Sequence, residues 1–172
     1  MPYRSISSVG GSATLSCRMG GATPWSHPIE RDVRITGTPR IEMDTEGSDN
    51  VMVKLYDVAP DGSAVMFDQQ VALAGPSGRV AVDLKSTDWR LAAGHSLAVE
   101  VGTIYDGAWI DTPTGDRIKV GDARLQFSVD DPSDDQATEG KRAPYLDTYL
   151  KLYTKKKLTE RPLSFTVPTA RD

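Results

Sequence analysis

The chain has 172 residues, a formal net charge of −4 and 38% hydrophobic residues. This length is enough for one domain that buries its own core, and the lack of a basic excess means that nucleic acid is not expected as a partner. A single cysteine, Cys17, excludes an internal disulfide framework and a cysteine-rich zinc site, and it leaves the redox compartment open.

The start of the chain has no signal for membrane insertion. Residues 1–21 lack a continuous apolar h-region, and no apolar run approaches the roughly eighteen residues that a membrane span requires. We therefore predict neither a signal peptide nor a transmembrane segment in this chain, and the compartment stays open. Residues 1–27 are rich in Gly, Ser and Thr, which predicts a flexible or extended lead-in.

Residues 28–129 alternate apolar and polar side chains with a period of two. Val51, Val53 and Leu55, for example, share one face of a predicted strand. Turn-forming clusters such as Pro60-Asp-Gly62 separate the alternating runs. Strands of this kind favour a jelly roll or a related β-sandwich. Seven strands are predicted, over residues 32–36, 40–45, 51–58, 64–73, 79–85, 96–103 and 122–129.

Residues 130–172 have a different composition and are predicted to be an acidic linker followed by a C-terminal extension. The linker is the Asp-rich run 130–136. Tyrosines at 145, 149 and 153 have the i, i+4 spacing of a short helix docked on the sandwich. The helix is the preferred prediction, and the alternation of residues 146–152 leaves a strand open as the competing alternative. Residues 163–167 are predicted to add one more strand.

The residue types that catalysis needs are sparse in this chain. No Gly-x-Ser-x-Gly nucleophile elbow occurs, and the only two histidines are His27 and His95. His95 enters a strand from a turn, where an imidazole usually satisfies backbone groups. Two histidines and one cysteine far apart cannot supply a zinc site, and there is no Asp-rich calcium loop. We predict no catalytic residue, no metal site and no cofactor.

Residues 102–115 attract a binding hypothesis. Tyr105 and Trp109 lie beside Asp106 and Asp111, outside any alternating strand. Aromatic faces flanked by carboxylates suit sugar rings or the centre of a protein interface. The alternative is a tryptophan packed over one end of the sandwich. We take these four residues as candidate ligand-binding residues for a carbohydrate or a protein.

Three segments, in this order along the chain, carry a family resemblance. The first is Pro28-Ile-Glu-Arg-Asp-Val-Arg-Ile-Thr-Gly-Thr-Pro39, and the second is the hairpin Val53-Lys-Leu-Tyr-Asp-Val-Ala-Pro-Asp-Gly62. In the third, Leu91-Ala-Ala-Gly-His-Ser-Leu-Ala-Val-Glu-Val101, a Gly-His turn opens a late strand. Together they resemble the C-terminal non-catalytic β domain of the X-Pro dipeptidyl-peptidase and cocaine-esterase family of serine hydrolases. The resemblance covers residues 28–129.

The resemblance implies a jelly roll of the galactose-binding-domain type beside an α/β-hydrolase domain that carries the catalytic triad. No such hydrolase domain lies within these 172 residues, and residues 130–172 extend beyond the resemblance. One hypothesis is an accessory domain that packs on a hydrolase domain and helps to shape its substrate cleft or a dimer. The other is a free-standing module that binds carbohydrate or protein. Neither requires this chain alone to be catalytic.

Overall fold

The computed structural model describes residues 11–18, 23–75, 77–102, 118–136, 143–153, 156–158 and 163–168. Within these ranges the chain forms two β-sheets and one α-helix. The elements in chain order are β1 (Gly11–Arg18), β2 (Trp25–Ser26), β3 (Val33–Glu46), β4 (Asp49–Val58), β5 (Ser63–Ala74), β6 (Ser77–Asp83), β7 (Thr87–Leu91), β8 (Ser96–Gly102), β9 (Lys119–Asp130), α1 (Leu146–Tyr153), β10 (Lys156–Lys157) and β11 (Leu163–Phe165).

The strands form a five-stranded and a six-stranded sheet. Sheet A has the order β1-β9-β3. On the other side of β3, β7 pairs with its first half (residues 33–37) and β6 pairs with its second half (residues 40–46). Sheet B has the order β10-β5-β4-β8-β2-β11. The described pairings are antiparallel, except that β11 runs parallel to β2. The all-β sandwich that the alternating pattern predicts is confirmed, whereas the galactose-binding-like type stays a prediction.

The core lies between the sheets and follows from the period-2 pattern. Alternate side chains of a strand point to opposite faces, so one apolar set from each strand faces inward. Ile41 and Met43 of β3 thus meet Val53 and Leu55 of β4 across the sandwich. Similar inward-facing sets come from β8 and β9, namely Leu97, Val99, Leu125, Phe127 and Val129.

Both open sides of the sandwich are closed by aromatic side chains. On the β5 and β7 side, the rings of Phe67 and Trp89 stack with centroids 5.3 Å apart. On the β1 and β2 side, Phe165 and Val167 are buried in the core beside Ile29. The His27 N–H donates to the carbonyl of Phe165 at 2.8 Å and fixes this end of the chain.

Two strands lie within residues 1–27, for which the sequence predicts a flexible or extended lead-in. All of β1 pairs with β9, from Gly11 opposite Val129 to Arg18 opposite Asp122, and Trp25 of β2 is 2% exposed. The apolar signal of 11–18 is weak, but β9 supplies backbone partners from more than a hundred residues away. The division into domains stays a prediction.

Of the two alternatives for residues 146–152, the structure has the helix, and the competing strand at these positions is wrong. Residues 146–153 form the helix α1, and the two residues of β10 then pair with Ala64 and Ser63 of β5. The predicted final strand is present as β11. The extension therefore contributes a helix and two short strands to the sheet B side of the sandwich.

Candidate docking surface and the His95 corner

The outer face of sheet A is polar. Charged side chains alternate with the buried residues of β3 and pair across strands, as Arg40 does with Asp83 at 2.6 Å and Arg79 with Asp44 at 3.3 Å. Arg34 contacts both Asp88 and Asp135 of the acidic linker. Exposed pairs of this kind contribute little stability, but they keep a sheet face in solvent.

The outer face of sheet B is apolar only in part. Lys54 of β4 lies on the same face as Tyr56 and has Gln69 and Glu100 as its register partners, so that part of the face is polar.

The apolar part is a cluster of buried side chains. In β4, Leu55 faces the inner core while the next residue, Tyr56, belongs to a second cluster, so this cluster lies on the opposite face. In β8, Ala98 likewise points away from Leu97 and Val99. The second cluster, here called the outer cluster, comprises Trp25, Tyr56, Val58, Ala64, Met66 and Ala98.

The C-terminal extension packs on the outer cluster. Leu158 is half-buried against it, and the Tyr149 hydroxyl of α1 donates to the carbonyl oxygen of Met66 at 3.4 Å. The Leu158 N–H donates to the carbonyl oxygen of Gly62 at 2.9 Å. A Cβ placed on Gly62 would lie only 2.5 Å from the Leu158 carbonyl oxygen. Gly62 is thus required both by its φ of +86° and by the close approach of the extension.

Large exposed apolar side chains lie on the same half of the molecule. Among the described residues they are Leu73 of β5, Tyr145, Leu146 and Leu152 in or next to α1, and Leu163 of β11. Tyr145 is 81% exposed and Leu152 is 56% exposed. All of these belong to sheet B or to the extension that packs on it. An exposed apolar surface of this kind marks a site of protein contact when its members are contiguous.

A buried carboxylate organises the turn that contains His95. Asp57 is the last inward-facing residue of β4 and is 8% exposed. Its Oδ1 lies 2.6 Å from Nδ1 of His95, and its Oδ2 accepts a hydrogen bond of 3.0 Å from the Trp89 indole. Asp57 belongs to sheet B and Trp89 to sheet A, so this carboxylate links the two sheets.

The same turn is held from outside by Asp32. Its carboxylate accepts hydrogen bonds from the Ala93 N–H and from Arg90 Nε, each at 2.8 Å. The Ala93 N–H and the Arg90 guanidinium hold the pKa of the Asp32 carboxyl below its ordinary value. The backbone of Ile29 adds two further hydrogen bonds, to Gly94 and to His95. We call residues 92–95 with Asp32, Asp57 and Trp89 the His95 corner.

An Asp–His pair is also found in the catalytic triad of serine hydrolases, where the histidine is hydrogen-bonded to a nucleophilic serine. Within the described part of the chain, no serine or threonine hydroxyl is hydrogen-bonded to the His95 ring. The partner of the imidazole is a carboxylate, whereas the sequence pattern predicted contacts with backbone groups. The pair acts here as a link between β4 and the turn, through a charge-assisted hydrogen bond.

A second inward-facing carboxylate lies on β5, in the part of this strand that the short edge strand β10 does not pair with. Asp68 is opposite Leu55 in register, is buried, and accepts a hydrogen bond of 3.3 Å from the Lys85 N–H. Its Oδ2 has no hydrogen-bond partner among the described residues. Burial raises the pKa of the Asp68 carboxyl. An inward-pointing charge on an edge strand opposes pairing with other chains, at a cost in stability.

The four candidate ligand-binding residues, Tyr105, Asp106, Trp109 and Asp111, lie outside the described residues. Surface depressions do occur among the described residues, and two of them are larger than about 300 Å³. One of about 720 Å³ lies at the end of sheet A between the exposed pairs Asp44–Arg79 and Glu46–Lys119. The other, of about 350 Å³, is lined by residues 27–31 and by Thr166 and Val167. No aromatic side chain of Phe, Trp or Tyr lines either depression.

Neither a metal cluster nor a membrane-spanning helix is found in the ranges that the structure covers. No group of three or more His, Cys, Asp or Glu side chains in those ranges is placed to hold a metal ion. The described helix is too short and too polar to cross a bilayer.

Sequence reasoning missed the His95 corner and the Gly62–Leu158 contact. A signal for the first was present, because Asp57 continues the inward-facing series of Val53 and Leu55 and a charge on that face requires partners. No signal in the sequence connected Gly62 with Leu158. The turn at 60–62 fully accounts for a glycine there, so its second role was hidden.

The architecture is that of an all-β sandwich domain. The family model of the X-Pro dipeptidyl-peptidase C-terminal non-catalytic domain matches residues 16–137, and the chain belongs to this family. The match confirms the resemblance seen in the sequence and extends it on both sides of 28–129. In relatives, domains of this family are attached to hydrolase catalytic domains. No curated protein sequence matches the chain.

Three of the solved structures that the chain is similar to are hydrolases of greater length. An aminopeptidase from a marine sediment archaeon, Thaumarchaeota archaeon, is 12% identical with a TM-score of 0.46, over 69% of this chain and 26% of that one. An α-amino acid ester hydrolase is 12% identical with a TM-score of 0.44, over 66% and 23%. A CocE/NonD family hydrolase from Staphylococcus aureus is 7% identical with a TM-score of 0.44, over 70% and 32%. The matched part is thus between 23% and 32% of their lengths.

Proposed function

We propose that this chain is an accessory β domain that packs on an α/β-hydrolase catalytic domain and helps to shape its substrate cleft or its dimer. The observation that carries the proposal is the unequal distribution of exposed large apolar side chains between the two halves of the sandwich. Sheet A presents paired charges to solvent, whereas the described large exposed apolar residues all belong to the sheet B half. Docking through the sheet B half buries apolar surface without stripping water from ion pairs.

The chemistry of the described residues supports a non-catalytic role. The Asp57–His95 pair has both carboxylate oxygens engaged in holding the corner together. On the sheet A face, Asp44 and Asp83 are paired with arginines and Glu46 is paired with Lys119. Such a domain therefore acts as a rigid body that forms one side of a neighbouring substrate cleft and holds the loops around the cleft in place.

Two measurements on the purified chain test the proposal. A fluorophosphonate probe is expected to leave the chain unlabelled, with no turnover of an aryl ester or an X-Pro anilide. The immobilised chain is expected to retain a fluorophosphonate-labelled serine hydrolase from an extract of its host, identified by mass spectrometry as an α/β-hydrolase. Labelling of a defined serine in the chain itself would make it an enzyme, and failure to retain any labelled hydrolase would remove the docking role.

The alternative, a free-standing carbohydrate- or protein-binding module, rests on Tyr105, Asp106, Trp109 and Asp111 and stays a prediction. A glycan array probed with the wild-type chain and with Trp109→Ala tests it. Saccharide binding that is lost in Trp109→Ala would support this alternative, and the absence of binding would leave the aromatic pair without a sugar-binding role.

A further inference from the structure

The C-terminal extension is attached to sheet B at its two opposite edges. In the strand order β10-β5-β4-β8-β2-β11, the extension supplies the first and the last strand, and the four strands between them lie within the family-matched residues 16–137. The two attachments are therefore separate in space, and they bury very different amounts of apolar surface.

The attachment through β11 is deep. Phe165 and Val167 are 8% and 3% exposed, and both belong to the inner core. The His27 N–H donates to the carbonyl oxygen of Phe165 at 2.8 Å on the same side of the molecule. Release of this end would transfer two core side chains to water and leave a cavity between the sheets. This end therefore stays in place unless the sandwich itself unfolds.

The attachment at the β10 edge is shallow. Residues 143–148 and 151–152 are exposed, and Tyr149 and Leu150 are half-buried. The Tyr149 hydroxyl lies 3.4 Å from the carbonyl oxygen of Met66, and β10 pairs with β5 over only two residues. A helix of eight residues is not stable in isolation, so α1 depends on these contacts. A segment with so little buried apolar surface opens at a lower free energy than the core does.

The shallow end covers the outer cluster. Leu158 packs against this cluster, and its N–H donates to the carbonyl oxygen of Gly62 at 2.9 Å. Tyr56 and Met66 of the cluster are only 3% and 8% exposed in this closed arrangement. The Leu158 carbonyl oxygen lies 2.5 Å from a Cβ placed on Gly62, so the closed arrangement requires glycine at this position. Position 62 is therefore a place where the closed arrangement can be weakened selectively.

We propose that α1 together with residues 156–158 is a cover that opens from sheet B while β11 stays anchored, and that its opening controls access to the outer cluster. The six residues of this cluster all belong to the family-matched part of the chain, whereas the cover lies beyond it. Segments that close over a surface in this way open on the microsecond to second timescale. The inference is independent of the proposed function, because it concerns only contacts within this chain.

Two amide protons report on the two attachments separately. The Leu158 N–H donates to Gly62 at the cover, and the His27 N–H donates to Phe165 at the β11 attachment. Hydrogen exchange followed by NMR on the full chain measures both. We expect the Leu158 amide to exchange about tenfold or more faster than the His27 amide after correction for intrinsic rates. Equal protection of the two amides would mean that the extension opens only as a whole, which would overturn the inference.

Peroxide oxidation of methionine, measured by mass spectrometry, reports on access to the outer cluster. Met66 belongs to the outer cluster and Met43 to the inner core, so one sample reports on the cover and on the core. Gly62→Ala weakens the closed arrangement, and we expect it to raise the Met66 oxidation rate about tenfold or more. Gly37→Ala is the matched control, because Gly37 also has positive φ but has nothing within 4 Å of an added Cβ. It weakens the sandwich with the cover open or closed, so it should raise Met43 oxidation and leave Met66 oxidation within about threefold.

A second pair of variants keeps the test valid if Gly62→Ala does not fold. Leu158→Ala removes the side chain that packs against the outer cluster, whereas Leu163→Ala makes the same change at a residue of β11 that is 46% exposed. We expect Leu158→Ala to raise the Met66 oxidation rate about fivefold or more, and Leu163→Ala to change it by less than about twofold.

The oxidation rates distinguish the cover from its two alternatives. If Met66 oxidation rises by the same factor as Met43 oxidation in both glycine variants, the outer cluster is reached only by global unfolding, and the inference is overturned. If Met66 oxidation responds to neither Gly62→Ala nor Leu158→Ala, peroxide reaches Met66 with the extension in place, and the inference is likewise overturned. A response of Met66 to Gly62→Ala or Leu158→Ala without a response to their controls supports the cover.

Discussion

The carbonyl oxygen of Leu158 lies 2.5 Å from the point where a side chain on Gly62 would begin, and the Leu158 N–H donates to the carbonyl of the same glycine. One glycine thus joins the hairpin between β4 and β5 to the C-terminal extension. Leu158, which contacts Gly62, also packs against the outer cluster. A side chain at position 62 would therefore disturb the packing of the extension on this cluster.

Replacement of Gly62 by alanine should destabilise the domain more than the same change at Gly37. Both glycines have positive φ, +86° and +75°, but nothing lies within 4 Å of a Cβ on Gly37. We expect a loss of roughly 1 kcal/mol for Gly37→Ala and roughly 2–4 kcal/mol for Gly62→Ala, measured by urea unfolding. Equal losses for the two variants would show that the extension does not press on the hairpin.

Trp89→Phe should weaken the link between the sheets without removing the aromatic contact. Phenylalanine can still stack on Phe67, but it cannot donate to Oδ2 of the buried Asp57. The expected loss is about 1.5–3 kcal/mol, the usual range for a hydrogen bond to a charged group. In an Asp57→Ala background the same substitution should cost clearly less, and a double-mutant cycle without coupling would contradict the inter-sheet role.

Asp68→Asn should stabilise the domain at neutral pH. Burial raises the pKa of Asp68 in the folded state, so the folded state binds its proton more tightly than the unfolded chain does. The stability from this proton is fully present below the unfolded pKa and is lost as pH rises through the folded pKa. Asparagine does not ionise and still offers an oxygen to the Lys85 N–H.

Urea unfolding of wild type and Asp68→Asn across pH 4–8 checks this prediction. The advantage of the variant should be largest at neutral pH and should shrink as the pH falls. A variant that is less stable than wild type at pH 7, with an unchanged pH profile, would mean that the Asp68 carboxylate is stabilised by its surroundings.

Phe165→Ala should show that the extension is part of the folding unit. Phe165 is 8% exposed and belongs to the inner core, whereas Leu163 in the same short strand is 46% exposed. We expect a loss of about 3–5 kcal/mol for Phe165→Ala and less than about 1 kcal/mol for Leu163→Ala. Thermal unfolding measures both, and a small effect of Phe165→Ala would place β11 outside the cooperative core.

The sequence alone was sufficient for most strands of the central sandwich, but it did not predict β7, which pairs with β3. Alternation in 51–58 predicted β4 with its observed inner face, and the Pro60-Asp-Gly62 turn predicted the hairpin to β5. These features are local, because the side-chain period and the turn chemistry are set by neighbouring residues. For the same reason, the family could be recognised from three short segments.

Only the tertiary structure shows the contacts between residues that are distant in the chain. It paired β1 with β9, gave Asp57 its partners in Trp89 and His95, placed Phe165 in the core and brought Leu158 against Gly62. Each of these contacts joins positions far apart in the chain. A period or a turn signal describes only neighbouring residues, whereas backbone pairing and burial are settled when the two sheets and the extension pack together.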